Sequence, residues 1–278
     1  MTVPSELKKY TESNRAAWNE VIPIHQAAAK DKWDMAFLQP KYVCLDEIEI
    51  GLLRQMGIQD KDVVHLCCNN GIELLSLKNL GARTCVGFDI SEEAVKEANE
   101  RAQRCRIDCR FIRSDVYDIG AEYGDRFDIV YISSGCLGWM PDLGLFVKKA
   151  AALLRKDGRI FIHEIHPFSE MLPFDHSEGT DYLRIVEPYF KKEPYIDQGG
   201  LDYVGGSEYV ATTTQYWFVH TLSDILMSLI NHRIVVEHFS EYETDISAGH
   251  RRIEEAKAGI PLSYILIGRK QKPVNNYK

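Results

Sequence analysis

The sequence predicts an alternating α/β architecture: a doubly wound, mainly parallel seven-stranded sheet with an N-terminal helical arm and a cap inserted after the fifth strand. Three observations predict it. Between about residues 60 and 165, short apolar runs alternate with segments of helical spacing, the rhythm of βαβ units whose parallel sheet is covered on both faces. The apolar runs end in Gly, Asn, Ser or Asp, the residues that turn a chain out of a strand. The 278 residues are 45% hydrophobic and 27% charged, enough to bury a large core without staples.

The elements follow in order. Asp62 to Cys68 is a buried strand running into the turn Asn69-Asn70-Gly71. Ile72 to Leu80 has helical spacing and stops at Gly81. Thr84 to Asp89 is a second strand, and Ser91 caps a helix that carries Glu92 and Glu93 in its first turn, where the dipole favours acids, and runs to about Arg104. Cys109 to Arg113 and Phe127 to Ile132 are the third and fourth strands. A helix from Asp142 to Leu154 leads through Lys156-Asp157-Gly158 into a fifth strand, Arg159 to Glu164. Thr221 to His232 is an amphipathic helix, and Ile234 to Tyr242 and Ser263 to Lys270 are two further strands. The stretch between, rich in Tyr, Gly and Pro, is too long for a loop and reads as a cap with short strands. The organisation is one domain: a helical lid over residues 1–45, a Rossmann-like cofactor-binding core over 46–166, a substrate cap over 167–220, and a segment completing the sheet over 221–278.

Thirty-three Lys and Arg against 41 Asp and Glu give a net charge of −8, which disfavours a nucleic-acid partner, since neutralising phosphates takes a basic face. No apolar run approaches the ~20 residues that span a bilayer, so no membrane insertion is expected. The polar start lacks the apolar stretch of a signal peptide, and seven cysteines without a CxxC pair read as reduced, mostly buried thiols; both point to the cytoplasm. A homodimer stays open.

In an open parallel sheet, ligands sit beyond the carboxyl ends of the strands. The residues there are Cys67 to Gly71, Asp89, Asp115, Ser133 to Gly135, and Glu164 to His166. A tight turn leading into a helix N-terminus brings backbone N–H groups to an anionic group. Asp89 is placed to accept two ribose hydroxyls, and Asp115 to accept from an exocyclic amine such as that of adenine. A dinucleotide is disfavoured, because the G-x-G-x-x-G glycines that admit a pyrophosphate are missing from Cys67 to Ile72. No metal is expected: His163 and His166, three apart on an extended chain, point to opposite faces.

Ordered strings along the chain carry a resemblance: Asn14 to Glu20 (N-x-x-x-W-N-E), His65 to Gly71 (H-L-x-C-x-x-G), Val86 to Ser91, Asp115 to Asp118, Phe127 to Tyr131, Leu154 to Arg159, and Glu164 to Phe168 (E-x-H-P-F). Together they resemble the class I S-adenosylmethionine-dependent methyltransferases over nearly the whole chain, and more narrowly the bacterial methyltransferase-domain proteins with an H-L-x-C-x-x-G first loop. The resemblance implies S-adenosylmethionine as cofactor. It implies that Cys67, Asn69 and Gly71 wrap its methionine end and that Asp89 holds the ribose while Ile90 packs on the adenine. Asp115 and the backbone of Val116 then read the adenine edge, and the Ser133 carbonyl meets the ammonium group. Asn14, Trp18 and His25 close over the cofactor as a lid. The broad class has an acid at position 65 and glycines at 67 and 69, where this chain has His65, Cys67 and Asn69; Asn69 tolerates left-handed backbone.

Methyl transfer from a sulfonium is an in-line displacement, so positioning and removal of the acceptor's proton carry the catalysis. His166, after the fifth strand at the cofactor end, is the expected base, with Glu164 orienting it or binding substrate. Tyr189, Tyr195, Tyr203, Tyr209, Trp139 and Trp217 suit an aromatic-lined pocket for a small organic acceptor, whether quinone-like, phenolic or an amine. The alternative is a degenerate, cofactor-binding protein without turnover. A nucleic-acid or protein methyltransferase is disfavoured, because the fourth strand ends in Ser133-Ser134-Gly135-Cys136, with no amide-and-aromatic set to clasp a flipped base.

Overall fold

A computed structural model describes residues 5–175, 181–199, 201 and 210–271. Five parallel strands form one side of a seven-stranded sheet: β1 (Asp62–Leu66), β2 (Thr84–Asp89), β3 (Arg110–Arg113), β4 (Phe127–Ile132) and β5 (Leu154–Ile165). Two antiparallel strands, β8 (Ile234–Tyr242) and β9 (Ser263–Lys270), complete it in the order β3-β2-β1-β4-β5-β9-β8. The strand order reverses between β1 and β4, which places a crevice at their carboxyl ends. All five residues of β1 are buried, as a central strand covered on both faces requires.

The core lies in two layers. On one face, Val64, Leu66, Phe88 and Ile162 pack with α5 (Leu143–Leu153) and α6 (Leu222–Asn231). On the other, Val63, Tyr131 and Phe161 pack with α2 (Glu47–Gln55), α3 (Ile72–Asn79) and α4 (Glu92–Cys105). Ser91 caps its helix as expected, accepting from the Ala94 N–H, and Thr221 with Asp224 closes a capping box. The fifth strand departs from expectation by starting at Leu154. Asp157, at φ 62°, turns within the strand, and the pairing with β4 shifts between Phe127 and Ile129, so the Lys-Asp-Gly turn becomes an irregularity inside β5. A short helix, α7 (Arg251–Glu255), had no sequence signal.

The N-terminal arm is one 33-residue helix, α1 (Ser5–Phe37). It is docked along its length on α4: buried Arg101 donates to Asp34 at 2.8 Å, Asn19 donates to Glu92, and Lys30 pairs with Glu100 at 2.8 Å. The cap contains a hairpin of β6 (Tyr195–Asp197) and β7 (Gln215–Trp217). The Asn14 carboxamide holds its edge to α1, donating to the Tyr216 carbonyl at 2.9 Å and accepting from the Tyr216 N–H at 2.7 Å. No helix among the described residues is long and apolar enough to cross a membrane, and all seven cysteines are free thiols.

Candidate active site

A cavity of about 400 Å³ opens at the carboxyl ends of β1, β2 and β4, under α1 and the β6–β7 hairpin. Its floor is the loop after β1. Cys67, Asn69 and Gly71 all have left-handed backbone, at φ 56°, 44° and 81°, so the chain winds into a tight turn. Cys67 and Asn69 line the cavity, whereas Gly71 does not. Gly71 is needed for packing instead: a Cβ there would sit 2.5 Å from the Phe111 ring. The loop is tied to β2 through Asp89, whose two oxygens accept from the Asn69 N–H at 2.7 Å and the Ser91 N–H at 2.9 Å. Burial raises the Asp89 carboxyl above its usual range, while those N–H groups pull it back.

Beside Asp89, the apolar side chains Phe88, Ile90 and Val116 line the cavity. Asp115 lies there too, buried, with one oxygen on the Tyr117 N–H at 3.0 Å. Its other oxygen accepts from Lys8 of α1 at 2.7 Å, and Lys8 also bridges to Asp118, so a cation from the arm already meets the carboxylate expected to face adenine. The lysine carries no local signal: it meets Asp115 across 107 positions in sequence. Ser133 lines the cavity, and its hydroxyl lies 3.0 Å from Nε2 of His65. Complete burial drives His65 down to about 3, so it is a neutral imidazole at the end of β1.

The arm supplies Thr11, Asn14 and Trp18 to the wall; His25 lies one helical stretch further on, edge-on to Trp18 with ring centroids 6.5 Å apart, and is not in the wall. Trp18, Trp139 and Trp217 form a chain of edge contacts, at 5.5 Å and 4.9 Å between centroids, along one side. Tyr189 and Tyr195 do not reach the cavity. The Tyr189 hydroxyl accepts from the Leu222 N–H at 3.2 Å, and Tyr195 lies under Lys191; Tyr203 and Tyr209 fall outside the described residues. Glu73, from the first turn of α3, also faces the cavity and was not anticipated, since an acid there satisfies the helix dipole without further cause.

His166, the expected base, and Glu164, expected to orient it or bind substrate, are not in the wall of this cavity. Glu164 is buried and accepts three backbone N–H groups, those of Gly135, Leu137 (2.9 Å) and Ile165 (2.9 Å), which holds the segment after β4 in place. Burial still lifts it to about 7. Both ring nitrogens of His166 are engaged: Nδ1 accepts from the Phe168 N–H at 3.1 Å, so Nε2 carries the proton and donates to Glu241 at 2.9 Å. Burial lowers its basicity despite that carboxylate. On the opposite face, Asp46, Glu49 and His163 converge, with the Tyr131 hydroxyl donating to Glu49.

A twisted sheet of this order, with an acid at the end of the second strand and a tight turn at a helix N-terminus, defines an α/β protein that binds a nucleoside-type cofactor at its switch point. Comparison with known proteins carries this further. Residues 63–158 match the methyltransferase-domain family model. The ubiquinone biosynthesis O-methyltransferase of Vibrio campbellii is 26% identical over 186 residues, covering 66% of this chain and 72% of that protein, and its Proteus mirabilis counterpart is 28% identical over 113 residues, 41% and 45% respectively. An S-adenosylmethionine-dependent methyltransferase from Mesorhizobium loti shares the fold with a TM-score of 0.59 at 21% identity, over 79% of this chain and 96% of that one. A geranyl diphosphate C-methyltransferase from Streptomyces coelicolor, solved with S-adenosyl-L-homocysteine, does so with a TM-score of 0.54 at 12% identity, over 81% and 79%. These matches identify residues 63–158 as a methyltransferase domain and together support a class I S-adenosylmethionine-dependent methyltransferase.

The residues present fit that cofactor. The Asp89 carboxylate is held from behind by two N–H groups and remains on the cavity wall, apolar side chains flank it as an adenine ring requires, and the loop beyond it turns into the α3 N-terminus.

Proposed function

We propose that this methyltransferase acts on a small aromatic acceptor, quinone-like or phenolic, whose ring lies against Trp18, Trp139 and Trp217. That tryptophan row, which lines the cavity together with Met140, Ile165 and the Asp89-anchored loop, is the observation that carries the reading. The names of the relatives, ubiquinone biosynthesis O-methyltransferases at about 26% identity, support it from a second direction.

S-adenosylmethionine supplies an electrophilic methyl group on a sulfonium. The chain's residues do the rest. Asp89 accepts the ribose hydroxyls, and Ile90, Phe88 and Val116 enclose the adenine, whose edge meets Asp115 and the Val116 backbone. Cys67 and Asn69 contact the methionine end, and Thr11, Asn14 and Trp18 cover the site from α1. Glu164 and His166 are positioning residues: the first fixes the Gly135–Leu137 segment from which Trp139 projects, the second fixes the chain leaving β5. No histidine is in the cavity wall among the described residues, so an acceptor hydroxyl is activated by its own acidity and by orientation rather than by an imidazole.

The experiment is a panel of catechols, hydroquinones, simple phenols and aryl amines incubated with the protein and S-adenosylmethionine, followed by release of S-adenosylhomocysteine and the mass of the product. Turnover confined to aromatic hydroxyls, weakened by Trp217→Ala in KM more than in kcat, supports the reading. Turnover only of amines, or cofactor binding without any turnover, refutes it; the second result is that of the degenerate protein.

A further inference from the structure

Three carboxylates stand on the cavity wall, and two have protein partners: Asp89 the Asn69 and Ser91 N–H groups, Asp115 the Tyr117 N–H and the Lys8 ammonium. Glu73 has none. Among the described residues, no other side chain hydrogen bonds to it or pairs with it. Its nearest cation, Arg101, is fully buried and spends its donors on Asp34 at 2.8 Å, on Glu97, and on the Asn70 carbonyl at 2.7 Å. Glu49, itself held by Tyr131 and His163, repels Glu73. Burial first, then Glu49, pushes the Glu73 carboxyl up to about 7. A largely desolvated acid with no cation in hydrogen-bond contact is costly to keep charged, and a cation brought by a ligand offsets that cost. The end of β1 offers no competing charge, since His65 there is neutral and turned to Ser133.

We infer that Glu73 is a cofactor-binding residue that receives the α-ammonium group of the methionine moiety, the negative charge of the first loop being carried in the first turn of α3 rather than at the end of β1. The inference rests on the cavity being the S-adenosylmethionine site. Placed beside the α3 N-terminus, which favours the ligand's carboxylate, Glu73 completes recognition of a zwitterion by two opposite charges on one short segment. The residue therefore reads the amino-acid end of the cofactor and is indifferent to its adenosine.

The test is calorimetric titration of the full chain and of Glu73→Gln with S-adenosylmethionine, S-adenosylhomocysteine and 5′-methylthioadenosine, which keeps the adenosine and sulfur but lacks the amino acid. Loss of one charged hydrogen bond predicts about ten- to hundredfold weaker binding of the first two in the variant, and methylthioadenosine binding within about twofold of wild type. Thermal unfolding without ligand checks the fold; removing an uncompensated charge leaves the midpoint unchanged or raises it. Equal weakening of all three ligands, or unchanged affinity for the first two, overturns the role of Glu73. Unaltered affinities with a fall in kcat reassign it to the acceptor. Wild-type protein that binds methylthioadenosine and neither amino-acid-bearing ligand overturns the inference while sparing the adenosine site. Protein that binds none of the three overturns the cavity assignment, and the inference with it.

Discussion

Replacing Asp89 by Asn preserves the size of the side chain and removes its charge, so it isolates the electrostatic part of the site. In the wild type, each carboxylate oxygen already accepts one loop N–H, at 2.7 Å and 2.9 Å, and keeps further lone pairs for the ligand. Asn offers one carbonyl and one NH₂ group. Whichever way it is turned, either the Asn69 or the Ser91 N–H then faces another donor, and only one ribose hydroxyl retains an acceptor. Hydrogen bonds to charged groups contribute ~1.5–3 kcal/mol each, and part of that is returned because burial already disfavours the Asp89 charge. A loss of ~3 kcal/mol in ligand binding is therefore expected, about a hundredfold in Kd. Titration calorimetry with S-adenosylhomocysteine measures the affinity, and the melting point without ligand separates it from loop disruption. Affinity within about threefold of wild type would refute the reasoning, because the acid would then be serving the loop alone.

Three further outcomes follow from particular contacts. His166→Ala lowers kcat by less than about tenfold, because both ring nitrogens are engaged outside the cavity; a general base contributes ~10²–10⁴, and a fall of that size in steady-state assays would reinstate it. Glu170, near Trp217, is raised to about 7 by burial, so the folded protein binds a proton between about pH 4.5 and 7 that the unfolded chain releases. Wild-type stability thus falls across that window relative to Glu170→Gln, by ~1–3 kcal/mol in denaturant titrations at several pH values, and a constant difference contradicts the assignment. Gly71→Ala combines a left-handed φ of 81° with a Cβ 2.5 Å from Phe111, so denaturant unfolding is expected to show a loss of ~2–4 kcal/mol; a loss below ~1 kcal/mol would mean that Phe111 yields freely.

The parallel half of the fold was legible in the sequence because local signals there agree with one another. The Ser91 cap, the alternation of apolar runs and the helix from residue 92 onward are each short-range features, and the structure repeats them nearly residue for residue. That Asp89, Asp115 and Ser133 would lie at one cavity was readable for a related reason: the end of a parallel strand is a defined place, and the switch in strand order brings those ends together. Proximity to a strand end failed as a guide at Glu164 and His166. Their partners are the Gly135–Leu137 segment and Glu241 on an antiparallel strand, and which face of β5 each residue takes depends on pairings formed far away in sequence. Lys8 and Glu73 were missed on similar grounds. A lysine near a chain start and an acid in a helix's first turn have ordinary local explanations, and only the folded cavity shows what each one faces. The start of β5 was misplaced because Asp157 adopts left-handed backbone inside the strand, so a Lys-Asp-Gly turn does not interrupt it.

The central claim is that one cavity, bounded by the β1 loop, Asp89, Asp115 and the tryptophan row, holds both cofactor and acceptor. A crystal structure with S-adenosylhomocysteine tests it most directly. Ribose density is expected within hydrogen-bond distance of Asp89, adenine between Ile90 and Val116, the amino-acid end at Cys67 to Glu73, and the thioether sulfur turned towards Trp139 and Trp217. Cofactor bound elsewhere, or with its adenine against the tryptophans, would contradict it.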